Sequence, residues 1–190
     1  MKNNHQLILA SASPRRKALL RDAGISFICH PAEIVETILA DESVEQHVMR
    51  LAKEKAESVA QLYPDSIILG ADTVVFFDQK IFGKPKDLPA ASEMLLSLSG
   101  NTHQVLTGLS LARYKKQSTC WYSVTEVTFN KLSDETIKAY FELVNPLDKA
   151  GAYAIQEHGK MLVKSINGLF SNVIGLPIEE LQLKLKEIQN

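Results

Sequence analysis

The first apolar run, Gln6 to Ala10 (QLILA), gives way after Ser13-Pro14 to apolar positions at Ala18, Leu19, Leu20 and Ala23, so the period changes from strand-like to helical. A strand followed directly by a helix is predicted there. Ile25 to His30 (ISFICH) reads as a short strand, Val44 to Leu62 carries apolar residues at helical spacing, and Ser66 to Phe77 is a long run rich in β-branched residues. The first half thus alternates strand and helix.

Beyond it the pattern predicts a helix over Ala90 to Leu98, then two strands, Thr102 to Leu111 and Ser118 to Phe129, joined as a hairpin by the polar stretch Arg113 to Gln117. Ser133, followed by Asp134 and Glu135, opens a helix that runs to Val144. Met161 to Ile166 is a further strand, and Pro177 to Ile188 a terminal amphipathic helix with Pro at its first turn. No repeat, low-complexity segment or linker divides the chain, so residues 1–190 are expected to form one domain. The hairpin interrupts the alternation, which makes the fold class α/β with a mixed sheet flanked by helices.

Composition narrows the partners. Over 190 residues, 45% are apolar and 23% charged, ordinary for a soluble globular protein, and a formal net charge of -1 gives no global attraction to nucleic acid or anionic lipid. Any anion site must be local. Cys29 and Cys120 show no CxxC spacing and read as reduced thiols in a cytoplasmic protein. The opening MKNNHQLILASASPRR has an apolar run too short for a signal or a membrane span, and reads as mature structure.

Four constellations carry chemistry. In Ser11-Ala12-Ser13-Pro14-Arg15-Arg16, Ser13 and Pro14 mark a helix start, whose backbone N–H groups favour an anion. Two arginines in a first turn oppose the helix dipole, which makes sense if a phosphate chain sits there; a capped helix with two solvated arginines is the alternative. In Ile67 to Val75, Asp72 lies inside a buried-looking strand and needs a metal, a cation or hydrogen bonds; it is either functional or the structural partner of a core lysine. Alternation sends Asp72 and Thr73 to opposite faces, so contact of both with one substrate requires the strand to end or bulge, and Gly70 offers a place for that. The third group is cationic: Lys53 and Lys55 in LAKEKA, and Lys84 in GKP, the last without the glycine spacing of a P-loop. The fourth is Lys149 to Gln156, followed by Gly168 to Pro177, where small residues lead to a Gln whose amide can read a base edge. His5, His30, His103 and His158 lack zinc spacing, and no GxSxG elbow occurs. A helix-start anion site, separated carboxylates and cations make a kit for metal-assisted attack of water on phosphorus.

Taken in order, LASASPRRKALL, RLAKEKA, ILGADTVV, GKPKD, LSGNTHQVLTG, DKAGAYAIQ and the stretch from Gly168 to Pro177 resemble the Maf family, also called septum formation inhibitor-like proteins. The resemblance implies hydrolysis of nucleoside triphosphates between the α and β phosphates, and a twisted mixed sheet with a deep cleft, similar to the inosine-triphosphate pyrophosphatases. Carried over by position, it implies that Asp72 is the catalytic acid/base residue, that Glu36 closes the acidic motif beginning at Glu33, and that Lys55 and Lys84 are the EKA and GKP lysines. Ser11, Ser13, Arg15 and Arg16 fall on the phosphate-binding turn. At Arg15, Thr73 and Gln156, the positions associated with base choice, the chain resembles the dTTP/UTP group and not the branch acting on 7-methyl-GTP. Val35 in the acidic motif, Ala154 in place of Gly in GAYGIQ, and Glu157 in place of the Gly after Gln depart from the family pattern.

The expected cofactor is a divalent cation, Mg²⁺ or Mn²⁺, held by Asp72 and Glu36. The expected partner is a small-molecule nucleotide, with no nucleic acid and no membrane, and a homodimer is left open. Two other functions stay in view: a nucleotide-sensing or division-linked binding protein with little turnover, and a pyrophosphatase of purine or modified purine nucleotides.

Overall fold

Gly70 and Gly108 set how closely the first long helix packs on the sheet. A Cβ on Gly70 would lie 2.0 Å from the Ala52 carbonyl oxygen, and one on Gly108 2.2 Å from that of Val48, so at both points helix backbone rests directly on strand backbone. The computed structural model in which this is seen describes residues 5–189. The expectation that the opening of the chain is mature structure extends to residues 1–4, which lie outside the described residues.

The elements follow the predicted order. Strand β1 (Leu7–Leu9), helix α1 (Pro14–Asp22), β2 (Ile28–Cys29), α2 (Val44–Ala60) and β3 (Ile67–Phe77) form the first half. Then come β4 (Lys80–Phe82), α3 (Leu88–Leu98), β5 (Thr102–Ala112), β6 (Thr119–Phe129), α4 (Asp134–Leu143), β7 (Val163–Asn167), α5 (Phe170–Ile174) and α6 (Ile178–Gln189), with single 3₁₀ turns at Ala150–Ala152 and Gly159–Met161. The strands form one seven-stranded sheet in the order β2-β1-β3-β5-β6-β7, with β4 paired to β3. β1 runs parallel to β2 and β3, whereas β4 is antiparallel to β3 and β7 to β6. This is the mixed sheet the hairpin implied.

Helix starts are set by side chains. Ser43 and Gln46 form a reciprocal capping box at α2, and Ser133 Oγ accepts from Thr136 N at α4. Asp87 caps α3 through Ala90 N at 2.8 Å, which starts that helix at Leu88, two residues before the apolar period begins. β4 was hidden from the sequence: Asp78 and Gln79 both take left-handed φ, 48° and 57°, in a two-residue turn without the Gly that usually marks one.

The chain divides into two compact units, neither a continuous stretch. Among the described residues the first comprises 5–72, 107–123 and 175–189, the second 73–106 and 124–174. In the first unit, alternation along β1 and β3 makes two cores. Leu7, Leu9, Ile67, Leu69 and Ala71 pack with Leu20, Leu109, Leu176 and Leu181, while Ile8, Ala10 and Ile68 pack with Ala56, Val59 and Ala60 of α2. The second unit centres on Leu95, Leu98, Val127, Phe129, Tyr140 and Tyr153.

Candidate active site

The face of β3 that carries Ile68 and Gly70 also carries Asp72, so the strand aims this carboxylate at α2, where Gly70 has let the helix in. Lys55 lies on the helix between Ala52 and Ala56, the residues whose backbone a Cβ at Gly70 would strike. Its ammonium is drawn onto Asp72: Lys55 Nζ donates to Asp72 Oδ1 at 2.7 Å, both side chains being about nine-tenths buried. The same Nζ lies 2.7 Å from Glu36 Oε1, on a carboxylate 54% exposed. One lysine therefore gathers two carboxylates from separate stretches of chain. Lys53, grouped with Lys55 by residue type but not by the family resemblance, is half-exposed and 3.9 Å from Glu57 on its own helix, an ordinary surface pair.

The β1–α1 turn adjoins this cluster. Ser13 caps α1, its Oγ accepting from Arg16 N at 3.4 Å, with Pro14 in the first turn and no acidic residue there. Ser11 Oγ accepts from Ser13 N and from Arg16 Nη1, at 3.3 and 3.1 Å. Buried Arg16 also donates from Nη1 to the Ala71 carbonyl at 2.9 Å and from Nε to the Gly175 carbonyl at 2.8 Å. It thereby ties the turn to the residue before Asp72 and to the approach to α6. Burial lowers its pKa, the charges of Asp72 and Glu36 working the other way and that of Arg15 with it. Arg16 builds the turn, and Arg15 beside it is half-buried.

The remaining expected residues belong to the second unit. Thr73 follows Asp72 on the opposite face of β3, which runs unbroken from Ile67 to Phe77; Gly70 serves the approach of α2, not the strand irregularity expected of it. Exposed Lys84 follows Gly83, whose carbonyl accepts from Gly151 N at 3.1 Å, so the GKP segment is held to the small-residue segment. Gly151 and Ala152 both take positive φ, 65° and 63°, and a Cβ on Gly151 would lie 2.8 Å from Val75 Cγ2. Gln156 is exposed and its Nε2 donates to Glu157 Oε1 at 3.3 Å, while Glu157 Oε2 lies 3.2 Å from the buried Lys149 ammonium. The residue that departs from the family pattern thus braces the Gln.

Glu42 and Arg50, joined by 2.6 and 2.8 Å hydrogen bonds, were passed over in the sequence because Glu42 precedes the helix and its partner lies two turns into it. The capping box that begins at Ser43 is the signal that could have placed Glu42 against the first turns of α2.

The donor set fits a hard divalent cation. Asp72 and Glu36 already share one positive group, and Mg²⁺ characteristically takes one or two carboxylates together with substrate phosphates. Among the described residues no group of three or more His, Cys, Asp or Glu side chains could hold a metal, so the substrate and water would supply the other ligands.

The model of the family described as "Maf-like protein" matches residues 6–188. A dTTP/UTP pyrophosphatase of Bacillus cytotoxicus is 47% identical over 185 residues, covering 97% of this chain and 96% of its own. One from Bacillus cereus is 46% identical over 97% of this chain and 91% of its own. Among solved structures, the Ham1 protein of Staphylococcus aureus aligns with a TM-score of 0.49 at 15% identity, over 96% of this chain and 98% of that one.

Proposed function

Because the chain belongs to the Maf-like protein family, we propose that it hydrolyses dTTP and UTP to the nucleoside monophosphate and pyrophosphate, with the help of a divalent cation. The observation that carries the reaction is the placing of Asp72 and Glu36 on one lysine, beside a helix start built from Ser11, Ser13 and Arg16. The choice of base is supported by the dTTP/UTP pyrophosphatase of Bacillus cytotoxicus, 47% identical along nearly its whole length. The reading places the reaction in the cytoplasm, with Cys29 and Cys120 as free thiols. Among the described residues no helix is long and apolar enough to cross a membrane.

Chemistry of this kind needs little covalent work from the protein and much positioning. The helix start presents backbone N–H groups, the Ser11 and Ser13 hydroxyls and the Arg15 guanidinium to the triphosphate. Asp72 orients a water toward the α-phosphorus and accepts its proton as the oxygen–phosphorus bond forms and the bond to pyrophosphate breaks. Lys55, held between two carboxylates, fixes Asp72 and offsets charge, and Lys84 does so on the leaving pyrophosphate. Asp72 and Glu36 would hold the cation, which when bound screens the triphosphate and polarises its oxygens. Gln156 is assigned to the base, with Glu157 bracing its amide, whereas Thr73, on the face of the unbroken β3 opposite Asp72, is not.

The test is pyrophosphate release from dTTP, UTP, ATP and GTP with Mg²⁺ or Mn²⁺, orthophosphate being followed separately. Faster release from dTTP and UTP is expected. Equal rates on all four would remove the base preference, and orthophosphate as first product would remove the reaction class.

A further inference from the structure

Between β2 and α2, residues 30–43 form neither helix nor strand, and Glu36 sits in their middle. Apolar anchoring ends before it: Ala32 packs against the core under α2 and Ile34 is half-buried, but Val35 is 83% exposed, Ile38 60% and Leu39 48%. Ordering the backbone costs conformational entropy, and from Glu36 onward it is polar contacts that offset that cost.

Those contacts converge on one guanidinium. Arg50, on α2, donates from Nη2 to the carbonyl of Thr37, the residue after Glu36, at 2.8 Å. The same group grips Glu42 at the far end of the segment, Nε to Oε2 at 2.8 Å and Nη2 to Oε1 at 2.6 Å, and reaches Glu54 Oε1 from Nη1 at 3.2 Å. Glu42 Oε1 accepts in turn from Leu39 N at 3.2 Å and lies 2.6 Å from His47 Nδ1. The side-chain bond from Arg50, ahead of that from His47, holds the Glu42 carboxyl down to about 2, so the bridge stays ionised at any working pH. Arg50 and Lys55 stand five residues apart on one helix, about 7.5 Å along its axis. A single rigid element thus grips the segment at Glu36 itself and again just beyond it, at Thr37 and Glu42.

We propose that Arg50, through its bridge to Glu42 and the Thr37 carbonyl, is a positioning residue that holds the Glu36 carboxylate in place for hydrolysis. The proposal rests on the functional reading above, in which Glu36 serves the reaction. Lysine cannot replace the fork, because one ammonium does not span a bidentate carboxylate and a separate carbonyl.

The test uses Arg50→Lys, which keeps the charge, Glu42→Gln, which keeps the shape, and Glu36→Gln alone and combined with Arg50→Lys. Thermal melting, kcat and KM for dTTP with Mg²⁺, and amide hydrogen exchange over residues 33–42 are followed. Arg50→Lys and Glu42→Gln are expected to stay folded and to exchange faster in that segment. Each is expected to lose about ten- to a hundredfold in kcat with a smaller change in KM, the scale of a misplaced group. In the Glu36→Gln background, Arg50→Lys should cost less than about twofold more, because its effect runs through the carboxylate already removed. An equal loss in both backgrounds, or full turnover by Arg50→Lys with the segment loosened, overturns the proposal. If Glu36→Gln alone keeps full activity, or the wild type releases no pyrophosphate, it is the functional reading that has failed. Exchange then decides whether Arg50 orders the segment, and unchanged exchange in Arg50→Lys overturns the proposal in that case too.

Discussion

Lys55 Nζ donates to Asp72 Oδ1 at 2.7 Å within the first unit, so the residue proposed to orient water is also the buried partner of a lysine. The two roles separate in mutants. Asp72→Asn keeps volume and some hydrogen bonding, and Glu36 stays to balance Lys55. The stability loss should be about 1–3 kcal/mol, below the cost of a fully stranded buried charge. Turnover should fall at least about a hundredfold. Adding Lys55→Met should return part of the stability and none of the activity. Thermal melting and pyrophosphate release on the two single variants and the double variant check this; recovery of activity in the double variant would make the pair purely structural.

Gly70 and Gly108 both admit α2, but only Gly70 lies beside the site. Gly108→Ala must push the helix away at Val48, and Gly70→Ala at Ala52 and Ala56, either side of Lys55. Each should cost about 1–3 kcal/mol of stability through overpacking. Gly70→Ala should in addition depress kcat at temperatures where it is fully folded, because Lys55 is carried off Asp72. Melting curves alongside kcat at low temperature tell the two apart, and equal kcat loss in both would mean that the helix moves as a whole.

Patterns of period 2 and 3.6 were enough to place eleven of these elements, all but β4 and α5, because their apolar faces are continuous and their caps are local, as at Ser43 and Ser133. What escaped depends on partners distant in sequence or on backbone that gives no residue signature. The Asp78–Gln79 turn lacks a glycine, and the Arg50 fork reaches two points of an irregular segment. Asp72 and Lys55 were legible as candidates, but that they meet follows from the glycine that lets α2 down onto β3. The resemblance set Arg15 apart by its link to base choice, but nothing in the sequence marked Arg16 as structural; burial and bonds to Ser11, Ala71 and Gly175 give it its part in building the turn.

That difference predicts opposite phenotypes for neighbouring arginines. Arg16→Lys leaves at least one of the Ala71 and Gly175 carbonyls without its donor and should lower stability by about 1–3 kcal/mol. Arg15→Ala, at a half-buried position, should cost less stability than that and raise the KM for dTTP more than tenfold, the scale of losing a charge-assisted contact worth about 2 kcal/mol. The reverse pattern would show that Arg15 is the structural residue of the two.

Acid stability should report on the core of the second unit. His103 is buried there, its Nε2 2.8 Å from the Tyr153 hydroxyl and its ring edge-on to Phe129. Its Nδ1 has no hydrogen-bond partner among the described residues, so protonation would bury a charge and leave an N–H unsatisfied. Burial accordingly lowers the His103 pKa to about 4. In the unfolded chain the imidazole titrates near its ordinary value of about 6.5, so between the two values the unfolded state binds more protons than the folded one. Stability from this residue is therefore complete above the unfolded value, falls as pH drops through the window, and levels off below the folded value. The loss should be on the order of 3 kcal/mol. His103→Gln does not titrate and can still bond the Tyr153 hydroxyl, so its stability should be flatter across that window although lower at neutral pH. Chemical denaturation of both proteins at half-unit pH steps measures the difference, and parallel curves would place the acid sensitivity elsewhere in the molecule.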